Sequence, residues 1–303
     1  MDENVYTIGK GKLLIKLSGE SNFHDFGNAP DFKITEGITK KPHYSSRSGT
    51  KTKDKDPVTE QVATASFTVD DLKNENLRMW LMSNAITDVV QTSGTASAQE
   101  VTAELDKWIE LGKLKLSSVV VKAETPDNWS DTDWDTGEFC LPTTPNGYRY
   151  EATTGGNSGT TEPAWPTTVG ETVTDGTVVW TCRKLTYTLN TDYRLDTEVG
   201  HLMPLSDGDI EEAQALKVDY SYAAVTIHRV SAATVSAIEG HLFFVGNPPI
   251  GKKLDVKGYV SLSPKGDFSF IGDDYAGIQF EAEFLSGYGY TGLYDLYDRG
   301  IVT

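Results

Sequence analysis

Apolar residues occupy every second position in several stretches of the C-terminal third of the chain. The stretch IQFEAEFL at residues 278–285 alternates without a break, and IEGHLFFV at residues 238–245 does so nearly as well. Residues 256–262 are also predicted to be extended, followed by a turn at 263–266 and a continued strand at 268–271. Because a period of two gives a strand one apolar and one polar face, this meander must pack on a second layer. The pattern therefore predicts an antiparallel β-protein.

The N-terminal part of the chain carries the same alternation. It predicts strands at residues 11–17, 32–38 and 58–69. In the last of these, the small and apolar positions from Ala63 to Val69 share one face. Long helical periodicity is absent, so the fold class predicted is all-β. Further strands or hairpins are predicted at residues 86–91, 113–123, 187–205, 216–222 and 225–230.

One segment departs from the period of two. In residues 71–83, DLKNENLRMWLMS, leucines and Trp80 recur at roughly helical spacing, which indicates a helix with one apolar face. Asp70 and Asp71 are suited to an N-cap and an acidic first turn. The sequence therefore predicts one principal helix, with Trp80 anchored in a core.

The composition changes abruptly at residue 124. From there to residue 183 the chain carries ten acidic and only two basic residues, and it holds four of the six tryptophans. Without this segment, SVVVKA would join LTYTLNTDYRLD and read as one continuous hairpin. An insertion at a loop tip is well tolerated. We therefore predict a discontinuous β-sandwich domain at residues 1–125 and 185–303, interrupted by a small β domain at 126–184.

The tryptophans of this insertion have two interpretations. Exposed indole rings can serve as stacking platforms for sugars, and clustered ones can form the core of a very small module. The sequence leaves both interpretations open. The candidate surface-binding residues are Trp129, Trp134 and Trp165.

The chain is strongly acidic, with a formal net charge of −17. This charge argues against ordinary nucleic-acid binding, which depends on a cationic surface. No window contains the apolar run that a membrane helix needs, and residues 1–12 lack the layout of a signal peptide. We therefore expect synthesis in the cytoplasm and no association with a membrane.

A basic segment at residues 40–55 stands out against this acidity. Asp54 is its only acidic residue, so the segment has a formal charge of +5. It is either a solvated loop or a contact for an acidic surface. Its basic residues are Lys40, Lys41, Arg47, Lys51, Lys53 and Lys55.

No motif of catalysis or cofactor binding is present. The five histidines lack close pairing, and no nucleophile elbow or phosphate loop occurs. Asp131, Asp133 and Asp135 have the spacing of a calcium loop, but the sixth and twelfth positions of that pattern do not fit. Cys140 and Cys182 are interpreted as buried thiols, with a late disulfide as the alternative. The sequence therefore predicts no enzyme, no metal and no cofactor.

Two long blocks resemble the tail tube (major tail) proteins of bacteriophages with long non-contractile tails. The first, at residues 26–81, begins FGNAPDFKITEGITKKPHYSSRSGTKTKDK and ends in ENLRMWL; the second, at residues 239–285, contains EGHLFFVGN, LSPKGDFSFIGDD and QFEAEFL. Residues 148–182 also resemble a small β module found in phage structural proteins. The resemblance implies a sandwich or barrel of two antiparallel sheets flanked by one α-helix, with a small inserted β domain.

This resemblance implies a structural role in the virion. The chain would form stacked hexameric rings, assembled in the host cytoplasm, that make a conduit for DNA ejection. Its partners would be other copies of itself, a tape-measure protein, a tail terminator and distal tail proteins. Double-stranded DNA would pass through an acidic lumen without specific binding. The basic segment at residues 40–55 would be the loop by which rings stack.

Both chain ends are predicted to serve assembly. Residues 1–7 are interpreted as an arm that becomes ordered on assembly or as a strand lead-in. The tyrosine-rich residues 286–303 lack an obvious partner within the chain and are interpreted as an arm on a neighbouring subunit. The arm residues singled out are Tyr288, Tyr290, Tyr294 and Tyr297.

Two other functions are compatible with the sequence. One is a glycan-binding adhesin or distal tail component that acts through the tryptophan-rich insertion. The other is the inner tube of a contractile tail. Assembly into rings or tubes distinguishes the first of these from a tube protein.

Overall fold

The computed structural model describes residues 6–47 and 49–302. Strands account for 52% of it and helix for 2%, which confirms the predicted all-β class with one α-helix. Of the arm predicted at residues 1–7, the first five residues lie outside the described part. No helix in the described ranges is long and apolar enough to span a membrane.

The chain first forms six strands and the helix: β1 (Gly11–Leu17), β2 (His24–Asp25), β3 (Asp31–Lys40), β4 (His43–Ser45), β5 (Thr52–Lys55), β6 (Val58–Val69) and α1 (Asn74–Trp80). The middle of the chain forms β7 (Ile86–Gln91), β8 (Gly94–Thr102), β9 (Ile109–Glu110), β10 (Leu116–Ala123), β11 (Asp133–Trp134), β12 (Phe139–Cys140), β13 (Tyr148–Thr154), β14 (Gly156–Asn157), β15 (Thr172–Asp175), β16 (Val178–Lys184), β17 (Tyr193–Asp196), β18 (His201–Pro204), β19 (Ala215–Tyr222) and β20 (Val225–Val230). The last four strands are β21 (Ile238–Gly246), β22 (Gly251–Lys265), β23 (Ile278–Leu285) and β24 (Tyr294–Val302).

These elements divide into two compact units. The first contains the described residues up to Asp88 and those from His228 onward, and the second is Val89–Ile227. The chain leaves the first unit within β7 and returns to it within β20.

The first unit is built on one antiparallel sheet. Its strands are ordered β2-β1-β21-β22-β23-β6-β3, and β24 pairs alongside β22. Phe32 on β3, at one end of this order, stacks on Phe244 of β21 with ring centroids 5.0 Å apart. The sheet therefore rolls around its own apolar face, in keeping with the strong twist of long antiparallel sheets.

The core of the first unit lies inside this roll. The alternate positions predicted to face inward on β1, β6 and β23 are buried, which confirms the inward faces for these strands. Phe26, from the loop after β2, packs between Phe67 and Phe280 with centroid separations of 5.1 and 5.6 Å. Phe67 and Phe280 are themselves stacked at 5.3 Å. Their packing joins the central strands to the loop that closes over them.

The helix α1 is shorter than predicted and begins three residues later. The predicted caps are wrong: the N-cap position is Lys73, which makes no side-chain cap hydrogen bond, and Asp71 instead pairs with it at 3.0 Å. The fully buried helix residues are Asn76 and Met79. Asn76 is tolerated inside because its amide donates to the carbonyl oxygens of Phe26 and Asp71, at 2.8 and 2.7 Å.

The second unit contains two separate cores. One lies between the sheets β10-β19-β8 and β17-β18-β9 and is made of residues such as Val121, Leu202 and Val218. The other belongs to the small sheet β12-β13-β16-β15 and is centred on Trp180 and Tyr150. This third core of the molecule lies entirely within the range 126–184 that was predicted as an insertion.

The units do not follow the predicted domain boundaries. Residues 89–125 and 185–227 were predicted to belong with the rest of the sandwich, but they form the second unit together with the insertion. The reason is physical, because strands β8, β10 and β19 pair with one another and bury their own core.

The register of the small sheet answers whether its two cysteines pair. Cys140 lies opposite Tyr150, and Tyr150 lies opposite Cys182, so a whole strand separates the thiols. Two strand spacings place their Cα atoms about 10 Å apart, beyond the roughly 7 Å that a disulfide spans. Both cysteines are free and buried, and burial raises the pKa of Cys140 to about 12. The free-thiol interpretation is therefore the one that the geometry supports.

A buried carboxylate organises the turn between β16 and β18. Asp192 is fully buried and accepts hydrogen bonds from Lys184 Nζ at 2.9 Å and from the backbone N–H groups of Thr188 and Asp209 at 2.7 and 3.0 Å. Burial alone would raise the pKa of Asp192, but these hydrogen bonds outweigh it and the pKa is lowered. The ionised carboxylate is therefore the form that the fold stabilises.

We predict that Asp192→Asn destabilises the second unit by on the order of 3 kcal/mol at pH 7, because it leaves the bonded Lys184 charge without this partner. Since the folded pKa of Asp192 is lowered, its contribution is complete above the ordinary value of 3.8 and is lost as the pH falls through the folded value. The difference in unfolding free energy between wild type and variant should therefore be constant from pH 7 to 5 and shrink below 3.8. Urea unfolding followed by tryptophan fluorescence measures it, since five of the six tryptophans lie in this unit.

Asp209→Asn is the matched control, because the Asp209 side chain is 46% exposed and also pairs with Lys184. We expect it to cost less than about 1 kcal/mol. Equal losses in the two variants would contradict the role assigned to the buried carboxylate.

Candidate assembly surface

The hairpin of β3 and β6 extends well beyond the core. The two strands pair from Asp31 opposite Thr68 to Lys40 opposite Val58. The inner half of β6, from Ala63 to Val69, is buried at alternate positions, whereas every residue from 58 to 62 is exposed. β4 and β5 prolong the hairpin further as a two-stranded ribbon. We call residues 36–62 the distal hairpin.

Several large apolar side chains lie exposed on the distal hairpin. Ile38 is 59% exposed, and Tyr44, Val58 and Val62 are exposed as well. Single exposed apolar residues are ordinary, but a group of them on one projecting element is typical of an interaction surface. The distal hairpin therefore has the character of a contact element.

The six basic residues predicted as a stacking loop are brought together on this hairpin. The structure forms the β4–β5 ribbon there, with Tyr44 opposite Lys53, where a loop was predicted. Lys53 pairs with Asp56 at 2.5 Å, and His43 pairs with Asp54 at 2.6 Å. All six basic residues predicted for this segment are exposed: Lys40, Lys41, Arg47, Lys51, Lys53 and Lys55.

The tyrosine-rich C-terminal segment is not a free arm, and this prediction is wrong. As β24 it pairs with β22 from Tyr294 opposite Gly258 to Val302 opposite Gly251. The pairing is possible because β22 is 15 residues long and β23 covers only its far half, from Tyr259 onward. The near half leaves an edge that the C-terminal strand fills.

The predicted arm tyrosines have different surroundings within the chain. Tyr288 stacks on Tyr259 with centroids 3.6 Å apart, and Tyr290 hydrogen-bonds His241 at 3.2 Å. Tyr294 donates to Glu36, and this hydrogen bond to a carboxylate raises the pKa of Tyr294. Tyr297 remains 45% exposed. The segment is thus anchored in its own sheet, with Tyr288 and Tyr297 each still nearly half exposed.

A charge pair between the exposed Arg299 and the buried Asp255 holds β24 in place. Arg299 Nη2 lies 2.8 Å from Asp255 Oδ1 and 2.6 Å from the carbonyl oxygen of Gly246. Asp255 is 7% exposed and also accepts the backbone N–H of Gly246 at 3.0 Å. This cluster ties β21, β22 and β24 together at one point.

A groove of about 370 Å³, lined by both apolar and polar residues, lies where β24 meets the distal hairpin. Ile38 and Val62 form its hairpin side, while Leu293 and Leu296 form its C-terminal side. The hydrogen bond from Tyr294 to Glu36 bridges the two sides. Leu296 is 58% exposed, so the groove opens its apolar lining to solvent. We call this feature the hairpin groove.

The most exposed apolar side chains lie elsewhere, in the loop between β22 and β23. Residues 268–271 were predicted as a strand and 263–266 as a turn, and both predictions are wrong. β22 instead runs through Pro264 to its end at Lys265, and residues 266–277 form the loop. Pro264 is tolerated because only β23 neighbours β22 there.

The sequence did not predict that the apolar side chains of this loop are exposed. Phe270 is 87% exposed, Ile271 is 93% exposed and Tyr275 is completely exposed. Alternation of Phe268 with Phe270 suggested a strand, but only Phe268 packs inward, against Trp80 at 5.8 Å. We call residues 266–277 the apolar loop.

The tryptophans of the insertion pack around one small core, in which Trp134 and Trp180 are buried and Trp129 and Trp165 are partly buried. Trp134 is buried, and Trp165 lies 4.2 Å from the Tyr150 ring and 5.8 Å from that of Trp180. Trp129 donates its indole N–H to the buried Asp175 at 2.8 Å. These contacts support the interpretation that the cluster is the core of the module. The one tryptophan more than half exposed, Trp108, lies outside the insertion.

No metal site emerges from this geometry. Within residues 6–47 and 49–302, no three His, Cys, Asp or Glu side chains are grouped so that they could hold an ion. Asp131, Asp133 and Asp135 are all exposed.

We predict that Arg299→Ala loosens β24. It removes both hydrogen bonds of the guanidinium and leaves the buried Asp255 carboxylate with only a backbone donor, which costs roughly 1.5–3 kcal/mol before discounting for the half-exposed arginine. Amide exchange in residues 294–302 should accelerate by about tenfold, as measured by hydrogen–deuterium exchange mass spectrometry.

Lys252→Ala is the control, because Lys252 also links β22 to β24, through Asp298 at 2.7 Å, but with both side chains more than 40% exposed. Such a pair contributes little. If the amides of residues 294–302 exchanged equally fast in the two variants, the Arg299–Asp255 pair would not be what holds β24.

The chain was compared with known protein families and with curated proteins. A family described as "Protein of unknown function UCP028589" matches residues 6–147 and 170–288, which covers most of both units. No curated protein matches the chain. The protein therefore belongs to the UCP028589 family, whose function is unknown.

Proposed function

We propose that this protein is the subunit of a bacteriophage tail tube and assembles into stacked, hexameric rings. The proposal starts from the resemblance of residues 26–81 and 239–285 to tail tube proteins of phages with long non-contractile tails. It is supported by the all-β fold with a single helix and by the candidate assembly surface.

One observation carries the proposal: the distal hairpin projects apolar and basic side chains that its own unit does not cover. A strand pair of this length is costly to expose, because its apolar side chains and free edge invite association. In an assembly of identical subunits, each hairpin can instead dock on the next copy and so hold the two copies together. The hairpin coincides with the segment that the resemblance implies for stacking.

Charge supports the same arrangement. A segment of +5 in a chain of −17 finds opposite charge on any other copy of the chain. The remaining acidic surface suits a lumen that repels DNA phosphates, so that double-stranded DNA passes without being held. The further partners are a tape-measure protein, a tail terminator and distal tail proteins, and the assembled protein is part of the virion.

The C-terminal segment is not a free arm in this proposal, because it is paired within its own sheet. Since β24 is paired within the chain and clamped by Arg299, the distal hairpin and the apolar surfaces carry the contacts. A glycan-binding adhesin is less well supported, because the insertion tryptophans pack in a core. The inner tube of a contractile tail remains a variant of the same structural role.

We predict that purified protein forms rings or tubes and that Lys51→Glu with Lys55→Glu raises the concentration needed for assembly about tenfold. The two reversals lower the formal charge of residues 40–55 from +5 to +1 and so remove most of the attraction across a docked contact, worth roughly 1–2 kcal/mol at a solvated surface. Negative-stain micrographs and sedimentation velocity measure assembly, and added salt should weaken it in the wild type.

Lys107→Glu with Lys115→Glu is the matched control, since both lysines lie exposed in the second unit and the net charge changes equally. This control should assemble like the wild type. A wild type that remains monomeric at all salt and protein concentrations would refute the proposed function. Equal assembly of all three proteins would remove the basic hairpin from the mechanism.

A further inference from the structure

Two surfaces of the first unit carry exposed apolar side chains beside charges of opposite sign, yet lie too far apart to meet within one chain. They are the apolar loop, which presents Phe270 and Ile271, and the hairpin groove beside the basic distal hairpin. We infer that the apolar loop of one copy inserts Phe270 and Ile271 into the hairpin groove of a second copy. This inference rests on the proposed assembly and names the contact that drives it.

The apolar loop is built to hold its tip outward. Phe268 is anchored on Trp80 of α1, and Phe270 packs edge-on against Phe268 with centroids 4.5 Å apart. The hydroxyl of Ser269 donates to the carbonyl oxygen of Ile271 at 2.6 Å, which bends the tip. Phe270 and Ile271 nevertheless remain about nine-tenths exposed. A local structure therefore supports two large apolar side chains that their own chain does not bury.

The two surfaces lie at opposite ends of β6. Ile278, which ends the apolar loop, pairs with Val69 at one end of the strand. The groove residue Val62 is seven positions earlier, which corresponds to about 23 Å along an extended strand. Since Phe270 is held at the Trp80 end, it does not reach the groove of its own chain.

The apolar loop of one copy suits the hairpin groove of another in apolar side chains and in charge. The hairpin groove has a volume of about 370 Å³, and the residues that line it include the apolar Ile38, Val62 and Leu296 beside the polar Glu36 and Gln61. The apolar loop contains Asp267, Asp273 and Asp274 and no basic residue. The adjoining segment 40–55 has a charge of +5, so the acidic loop meets a basic rim.

A contact between different patches of identical chains is head-to-tail. It joins each copy to the next in one direction and produces a closed ring or a filament, depending on the rotation between copies. This outcome is what a tube requires. The same contact explains why the protein keeps both a basic hairpin and an exposed apolar loop.

Cysteine cross-linking between two differently tagged full-length chains tests the contact. One chain carries Phe270→Cys and the other Ile38→Cys; the native Cys140 and Cys182 are buried and do not interfere. After mixing and oxidation with copper phenanthroline, we expect the mixed dimer to dominate on a non-reducing gel. Phe270→Cys mixed with Leu189→Cys is the control, because Leu189 is exposed in the second unit. Mixed dimers at the control level would overturn the inference.

Charge exchange tests the same contact without oxidation. Asp273→Lys with Asp274→Lys changes the formal charge of residues 266–277 from −3 to +1, and Lys51→Asp with Lys53→Asp and Lys55→Asp in a separate chain changes that of residues 40–55 from +5 to −1. Each variant should raise the assembly concentration about tenfold. A mixture of the two variants should recover assembly, because each reversed loop then meets a reversed hairpin. Failure of the mixture to recover would count against the pairing of these two surfaces.

The outcomes separate this inference from the proposed function. Tubes without the cross-link would overturn the inference and leave the tube proposal standing. The cross-link without tubes would support the contact and refute the tube. If the wild type formed no tubes and the cysteine variants gave no cross-link, the proposed function and this inference would both be refuted.

Discussion

The extent of the hydrophobic core relative to the length of its strands is the constraint on which this structure depends. The rolled sheet buries β6 only from Ala63 to Val69, although the strand begins at Val58. A core of fixed width cannot cover a hairpin of this length, so the remainder must be solvated or covered by another molecule. The apolar residues on that remainder, Ile38 and Val62 among them, make solvation alone an unsatisfactory answer.

The same limit operates in the centre of the sheet, at β22. β22 is longer than either neighbour on its own, and its near half is completed by the C-terminal strand through Asp255 and Arg299. This intramolecular pairing removes one exposed edge and leaves β24 as an outer strand with Leu296 on its surface. Completing one edge thus creates the C-terminal side of the hairpin groove.

Local patterns predicted the features that depend on local causes. Burial of one strand face repeats every two residues, so the inward residues of β1, β6 and β23 were readable from the sequence. The basic segment was equally readable, because charge composition needs no partner to be visible. Alternation says which positions share a face but not what covers that face, and for this reason the apolar loop was predicted as a strand. Phe268 packs on Trp80, whereas Phe270 remains 87% exposed although its ring edge touches Phe268.

Features that depend on distant partners were beyond the sequence. The hairpin groove joins Ile38 to Leu296, which are more than 250 positions apart, and only the pairing of β24 with β22 brings them together. The boundary of the second unit has the same origin, since β8 and β19 must pair across more than a hundred residues before a separate core exists. The β-propensity of single residues says little about such pairings, because the stability of a pairing comes from contacts with side chains on neighbouring strands.

Asymmetry connects these observations to assembly. A subunit whose projecting hairpin is basic and whose apolar loop is acidic has two unlike ends, and unlike ends favour head-to-tail contacts over symmetric pairs, because like surfaces repel. The apolar side chains at each end supply attraction without direction, while the charges select which end meets which. A chain with these two properties is suited to unlimited growth from identical parts.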